Sequence, residues 1–280
     1  MISHLHEANR LSWNAATRAH NSHKGDQATF FRNGGSTLFP EELELLGDVR
    51  GQRLLHLQCN SGQDSLSLAA LGAQVTGVDI SDEAVTFARR LAQESGIPAT
   101  FERADLYQWF VDASNGAFDR VFASYGVLCW LSDLKRWASG IAAALVSGGR
   151  FVLVEFHPMA LYFNEHWQPG YDLFQHGAIP ESGVSDYVAA SGEALTHGPV
   201  EPGVQHFINP HPSYEFMWGL GDVLTALARA GLTLECLHEY PYSNGWRGFT
   251  DMQELPGRRY TVPEGMPSLP LMFGLSARKP

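Results

Sequence analysis

From residue 53 to about residue 156, short β-rich apolar runs alternate with runs whose apolar residues recur at helical spacing. Arg53 to Leu57 reads as a strand, and Asp64 to Leu71 as a helix closed by Gly72. Gln74 to Val78 is a second strand. Asp82 to Glu94 follows as a helix, with Ser81 at its N-cap and Gly96 beyond its end. Ala99 to Arg103 gives a third strand and Phe118 to Ala123 a fourth. A helix from Leu134 to Leu145 stops at Ser147-Gly148-Gly149, and Phe151 to Phe156, β-branched and aromatic, is a fifth strand. Strict strand–helix alternation predicts right-handed crossovers and an α/β fold: a doubly wound, mostly parallel sheet with helices on both faces.

The flanks follow other patterns. Residues 1–50 are polar and rich in His and Asn, broken at Gly34-Gly35, with a helix start at Pro40 followed by Glu41 and Glu42. They read as an N-terminal helical cap. Residues 157–216 hold seven of the 15 prolines and six of the 12 histidines, together with several aromatics. So long a segment between regular elements is normally functional, and its aromatic content argues against disorder, so it reads as a lid or substrate-binding insertion. A helix near Trp218 to Ala230, a strand from Leu232 to Glu239 and a last strand from Pro270 to Ala277 complete the chain. The expected division is one domain over 1–280: a cap (1–50), a ligand-binding core (51–156), the insertion (157–216) and the C-terminal part of the sheet (217–280).

Composition narrows the function. The chain is 44% hydrophobic, with 16 Phe, 9 Tyr and 7 Trp, enough for a sizeable core and too much for a disordered protein. A formal net charge of −11 opposes binding to nucleic acid or to an anionic membrane, and no run of Lys and Arg counters it. Cys59, Cys129 and Cys236 form no C-x-x-C pair, so neither a disulfide framework nor a structural zinc site is expected. No window approaches a membrane span, and the first twenty residues lack the apolar stretch of a secretory signal, so the expected location is cytoplasmic.

In an open parallel sheet, ligands bind beyond the carboxyl ends of the strands, where strand order reverses. The first strand runs through Gln58-Cys59-Asn60-Ser61-Gly62-Gln63-Asp64 straight into a helix, whose first N–H groups are free to meet a ligand. The second strand ends in Asp79, suited to accept both hydroxyls of a ribose, although it could equally cap the helix beginning near Ser81. Asp105, after the third strand, can accept from an amine such as adenine N6, or be an ordinary loop acid. Ser124 and Tyr125 end the fourth strand. His56 reads as a hydrogen-bonded core histidine and Cys59 as a packing residue. The histidines of the insertion lack metal-binding spacing, so no metal is expected.

In this order along the sheet, these residues resemble the class I S-adenosylmethionine-dependent methyltransferases. That family's first motif is an acid followed by alternating glycines; here it reads His56-Leu57-Gln58-Cys59-Asn60-Ser61-Gly62, so only the last glycine remains. The resemblance implies a Rossmann-like seven-stranded sheet with its last strand antiparallel. It implies that Gln58, Cys59, Asn60, Gly62 and Gln63 pack against the methionine part of S-adenosylmethionine. Asp79 and Ile80 would hold the ribose, Asp105 and Leu106 the adenine, and Ser124 and Tyr125 would lie near the sulfonium. Because side chains replace two glycines, those of Gln58, Asn60 and Gln63 are expected to take part in holding the methionine end. Asn60 tolerates a left-handed backbone better than Gln58 does.

The expected activity is methyl transfer to a small-molecule acceptor by in-line displacement, giving S-adenosylhomocysteine. Trp13, Trp130, His157, His206 and Tyr214 are candidates for the acceptor pocket, with Trp13 and Asn14 closing over the cofactor beside Ser36 and Thr37. No single catalytic residue stands out. Two other readings stay open: a methyltransferase-like protein that has lost its cofactor, and an NAD(P)-dependent oxidoreductase. The second lacks the Gly-x-Gly-x-x-Gly run it needs.

Overall fold

A computed structural model describes residues 3–113, 115–175, 177–197 and 200–280. Three helices come first, α1 (Ser3–Ser22), α2 (Gln27–Arg32) and α3 (Pro40–Leu46). The alternating core follows as β1 (Arg53–Leu57), α4 (Gln63–Ala70), β2 (Gln74–Asp79), α5 (Asp82–Ser95), β3 (Thr100–Arg103), α6 (Leu106–Asp112), β4 (Phe118–Ser124), α7 (Leu134–Ala144) and β5 (Leu145–Phe156). The insertion contains α8 (Pro158–Leu161), β6 (Ile179–Glu181), α9 (Tyr187–Ser191), α10 (Glu193–Thr196) and β7 (Ser213–Glu215). The chain ends with α11 (Leu220–Arg229), β8 (Thr233–Tyr240), β9 (Ser243–Asn244), β10 (Gln253–Leu255), β11 (Arg259–Thr261) and β12 (Met272–Arg278).

Seven strands form the main sheet in the order β3-β2-β1-β4-β5-β12-β8. Strands β1 to β5 are mutually parallel, and β12 runs antiparallel to both β5 and β8. The chain winds one way from β1 to β3 and the other way from β4, so strand order reverses between β1 and β4. The expected doubly wound sheet, with its last strand antiparallel, is therefore the one found. Its central strands are covered on both faces: Leu54, Leu55 and Leu57 of β1 and Phe151 to Val154 of β5 are fully buried. Each such side chain contributes about 1.5–3 kcal/mol relative to exposure.

Local signals explain the helices. The Ser81 hydroxyl accepts from the Ala84 N–H, and Gly96 leaves α5 in the left-handed conformation. Between these ends, Ala84, Val85, Ala88 and Leu91 form the buried stripe.

Four features depart from the expected pattern. Helix α6 is additional to the expected elements: Asp105 opens it as N-cap, its carboxylate accepting the Tyr107 N–H. Strand β5 starts at Leu145 rather than Phe151, because Leu145 pairs with Phe118 before the register shifts around Gly148. Trp218 lies before α11, its indole N–H donating to the Leu131 carbonyl. A separate three-stranded sheet, β10-β11-β9, lies in a stretch with no clear period-two alternation.

The cap and the insertion are stitched together at the carboxyl edge of the main sheet. Asn9 exchanges two hydrogen bonds with the backbone of Tyr214 (2.7 and 2.8 Å), and the Ser12 hydroxyl accepts from the Val184 N–H. Along the same edge α1 meets the residues after three strands: His6 bonds Asp105, Asn14 bonds Ser81 and Asp82, and Asn21 bonds Ser61.

Candidate functional site

A cavity of about 780 Å³ opens at the carboxyl ends of β1 to β4, where strand order reverses. Its floor is formed by Gln58, Asn60, Asp79, Asp105 and Tyr125. Trp13 and His20 of α1, Gly183, Val184, Ser185 and Tyr187 of the insertion, and Asn244 of β9 with the nearby Trp246 enclose it.

The loop after β1 is held by side chains where glycines would otherwise serve. Gln58 and Asn60 both take positive φ (51° and 49°). The Gln58 amide donates to the Val127 carbonyl at 3.0 Å, and the Asn60 side-chain oxygen accepts the Ser61 N–H at 2.7 Å. These bonds offset the cost of a left-handed backbone. Gly62 (φ 79°) faces away from the cavity: a Cβ there would lie 2.7 Å from Ala88 Cβ and 2.8 Å from the Phe101 ring. Its glycine is required by close packing of α4 against α5 and β3.

Asp79 ends β2 with each oxygen fixed: Oδ2 accepts the Asn60 N–H and Oδ1 the Ser81 N–H, both at 2.8 Å. Burial pushes its carboxyl up to about 6, against those same N–H groups. The helix-cap alternative does not hold as such, because Ser81 supplies the cap of α5. Asp105 caps α6 and also meets the His6 imidazole at 2.6 Å. Burial opposes its ionisation, but the His6 bond and the Tyr107 N–H win and keep it below the usual carboxylate range.

At the end of β4, Tyr125 adopts φ 46°, uncommon for a bulky residue. Its phenol oxygen accepts from the Asn244 amide at 2.9 Å. The loop beyond is organised by Glu155 of β5, which is 3% exposed and accepts four backbone N–H groups, from Gly126, Val127, Leu128 and Phe156, at 2.5–3.0 Å. Burial raises its carboxyl despite these bonds. A single acid in an otherwise apolar strand (Val152-Leu153-Val154-Glu155-Phe156) is the sequence signal for this role.

Of the residues named from sequence, Gln58, Cys59, Asn60, Gln63, Asp79, Ile80, Asp105, Leu106, Ser124 and Tyr125 border this one cavity, and Gly62 does not. Trp13 and Trp130 also border it, edge to face at 5.5 Å. The other three acceptor candidates lie elsewhere. His157 caps α8 and sits 3.0 Å from Glu239, His206 is exposed, and Tyr214 is engaged through its backbone by Asn9. Asn14 ties α1 to the start of α5, and the Thr37 hydroxyl donates to Asp64. His56 is a core histidine, bonded to the Ser65 hydroxyl at 2.8 Å and pushed down to about 4 by burial, although its ring reaches the cavity wall. His6, Lys24, Tyr187, Asn244 and Trp246 joined the site without any signal in their local sequence. Among the described residues, no His, Cys, Asp or Glu group is arranged to hold a metal ion. No helix there is long and apolar enough to cross a membrane.

Fold and cavity define a Rossmann-like sheet with two acids, Asp79 and Asp105, along the carboxyl edge that borders the cavity. Residues 54–149 match a family model described as a methyltransferase domain, and the resemblance to the class I S-adenosylmethionine-dependent methyltransferases holds in this segment. A demethylmenaquinone methyltransferase of Thermus thermophilus is 32% identical over 109 residues, 38% of this chain and 48% of that protein. A ubiquinone biosynthesis O-methyltransferase of Xanthomonas euvesicatoria pv. vesicatoria is 36% identical over 119 residues, 41% of this chain and 49% of that protein. The chain thus spans about half the length of these curated relatives. A crystal structure of an S-adenosylmethionine-dependent methyltransferase from Mesorhizobium loti aligns over 88% of this chain and 99% of its own, with TM-score 0.59 and 22% identity, a likeness of fold.

Proposed function

We propose that this chain transfers a methyl group from S-adenosylmethionine to a small-molecule acceptor. The observation that carries this reading is Asp79. Two backbone N–H groups fix its carboxylate at the cavity floor, and each oxygen keeps a lone pair for a ribose hydroxyl. Asp105, one strand further along the sheet edge, is available to an adenine amine through the lone pairs that His6 and Tyr107 leave open. The cavity volume lies within the range of ligand pockets that enclose a cofactor and a small second molecule.

S-adenosylmethionine, when bound, supplies an electrophilic methyl group whose thioether leaving group needs no acid. The protein's tasks are therefore orientation and exclusion of water. Gln58 and Asn60 shape the turn against the methionine end through their side-chain bonds. Ser124 and Tyr125, the latter held by Asn244 and followed by the loop that Glu155 anchors, line the region where donor and acceptor meet. Trp13, Trp130 and Tyr187 form the apolar wall around it. The proposed organisation is one unit in which residues 1–50 and 157–216 close over the core. The enclosure by α1 and the net charge of −11 both favour a compact organic acceptor over a nucleic acid.

The test is calorimetric titration with S-adenosylhomocysteine on the wild-type protein and on Asp79→Ala, with NAD as control ligand. The expected result is micromolar affinity, reduced about 100-fold in the variant through loss of two hydrogen bonds to a charged group, and no binding of NAD. Absence of S-adenosylhomocysteine binding by the wild type overturns the reading in favour of a fold that has lost its cofactor.

A further inference from the structure

The insertion brings a pair of acids to the cavity that the reading above leaves without a task. Strands β6 and β7 pair antiparallel, with Ile179 opposite Glu215 and Glu181 opposite Ser213. Directly opposite residues, and residues two apart on one strand, point to the same face. Glu181, Ser213 and Glu215 therefore share a face, and both glutamates border the cavity. As diagonal neighbours they stand about 7–8 Å apart at the backbone, near enough for both carboxylates to converge on one group. The Phe216 N–H donates to the Cys129 carbonyl at 2.7 Å and so pins β7 to the loop after β4. Trp130 of that loop and Tyr171 of the insertion border the same cavity. Burial raises the Tyr171 phenol and the charges of Glu181 and Glu215 add to it, which places that ring beside the pair.

Among the described residues nothing balances these two charges. Neither carboxylate forms an ion pair or accepts a hydrogen bond there. Burial, with Glu181 beside it, pushes Glu215 up to about 7. Lys24, the only Lys or Arg among the described residues that border the cavity, is acted on by Asp64 instead. Burial lowers the His20 and His56 imidazoles to about 4 and that of His197 to about 3, so none of them carries charge near neutral pH. Two deeply buried side chains also lack partners. Ser213 is 1% exposed and its Oγ meets no polar group. Asn244, 2% exposed, borders the cavity and donates through Nδ2 to Glu41 and Tyr125, which leaves its Oδ1 buried and unpartnered.

A ligand that brings positive charge and N–H donors answers both deficits. We propose that Glu181 and Glu215, beside the Ser213 hydroxyl and the rings of Trp130 and Tyr171, form a subsite that receives an ammonium group. Aromatic rings favour a cation in such a place. All five residues except Trp130 lie outside the segment that matches the methyltransferase family model, residues 54–149. The ligand's role rests on the methyl-transfer reading. Strand β7 abuts the loop after β4, and Glu181 is the charge that acts on Glu215, not Asp79 or Asp105. The pair thus stands apart from the acids assigned to the nucleoside, and the ammonium belongs to the acceptor, a small amine.

Dissociation constants are measured at pH 8 for benzylamine and tryptamine, and for benzyl alcohol and indole-3-ethanol, in which a hydroxyl replaces the ammonium. The proteins are wild type, Glu215→Gln and Glu181→Gln, each with and without saturating S-adenosylhomocysteine. The wild type should bind at least one amine about tenfold or more tightly than its alcohol. Each variant should weaken that amine about 10- to 100-fold, the scale of a charge-assisted contact, and leave the alcohols and S-adenosylhomocysteine within about twofold. No preference for either amine, or a preference that Glu215→Gln retains, overturns the subsite and leaves the methyl-transfer reading standing where S-adenosylhomocysteine binds. An amine preference lost in the variants of a protein that takes up no S-adenosylhomocysteine keeps the subsite and overturns that reading. Displacement of the amine by saturating S-adenosylhomocysteine assigns the two acids to the donor and overturns the proposal. Ligand-free Glu215→Gln should melt at or above the wild-type temperature at pH 8, because one of two neighbouring like charges has been removed. A lower melting temperature, with amines and alcohols weakened alike, makes Glu215 a structural residue and also overturns the proposal.

Discussion

The matched core and the segments that close over it build their halves of the cavity by different means. In the core, Asp79 and Asp105 stand at strand ends fixed by backbone N–H groups: Asp79 by Ser81, which follows it, and by Asn60 of the neighbouring loop, Asp105 by Tyr107. Their positions are consequences of the parallel ladder. In the closing segments, contacts run through side chains across long stretches of chain: Asn9 with Tyr214, Ser12 with Val184, Asn244 with Tyr125. Asp64, Asp79 and Asp105 come from the core, whereas Lys24 and Trp13 come from outside it, as do Glu165, Glu181 and Glu215. Damage to the core's anchors should therefore appear first as lost stability. Damage to the closing segments should appear first as lost ligand affinity.

The largest effect expected from this difference is at Glu155. Replacing it with Ala leaves four backbone N–H groups without their acceptor, those of Val127 and Leu128 in fully buried bonds. Unfolding in urea should show a loss of about 3–5 kcal/mol. Asn9→Ala, which removes a comparable bridge from the closing segments, should cost no more than about 1.5 kcal/mol. Equal losses in the two variants would erase the distinction between anchor and closure.

A smaller effect concerns pH. Because burial raises Asp79 to about 6, the folded, ligand-free protein holds that proton more tightly than the unfolded chain, where an aspartate titrates near ~3.9. The contribution of Asp79 to stability therefore rises as pH falls from about 6 toward about 4. Ligand affinity moves the opposite way, since the ionised form accepts the ribose hydroxyls. S-adenosylhomocysteine should bind about tenfold more weakly at pH 5 than at pH 7, one logarithm for each unit below the titration point. Asp79→Asn should flatten both profiles. A variant that keeps the wild-type pH dependence would assign the titration to another group, Glu215 first, which burial beside Glu181 raises to about 7.

The two halves also differed in how far they could be read in advance. Strand alternation and turn residues located β1 to β5, β8 and β12: β1, β4, β5 and β12 bury apolar runs in one long-range ladder, while β3 and β8, largely exposed at its two edges, are marked by the helices and turns beside them. The acids at the strand ends followed from that geometry. Helix α6 escaped because Asp105 was weighed as a ligand group and not also as a cap, and a single carboxylate does both. His157, His206 and Tyr214 were singled out by residue type inside a segment whose path nothing local fixes, and they point elsewhere. Lys24 and His197 carry no local pattern at all. Their meeting depends on how α1 and the insertion dock, which is a tertiary property.

The smallest effect expected falls where the two halves touch. His6 of α1 bonds Asp105 at 2.6 Å, stacks on Tyr107 with ring centroids 5.4 Å apart, and meets the Ser132 hydroxyl at 2.8 Å. If α1 serves to close the adenosine end, His6→Ala removes one latch among several, since Arg10, Asn14 and Asn21 still tie the helix to the sheet edge. A loss of about 0.5–1 kcal/mol is then expected, the scale of one partly exposed hydrogen bond. In a titration with S-adenosylhomocysteine this reads as binding about two- to fivefold weaker, with a faster dissociation rate. Tighter binding would carry the opposite meaning: His6 and the ligand compete for the Asp105 carboxylate, and α1 must release that acid before adenine can take it. The sign of this change thus decides whether the closing segment cooperates with the core at Asp105 or holds its acid in reserve.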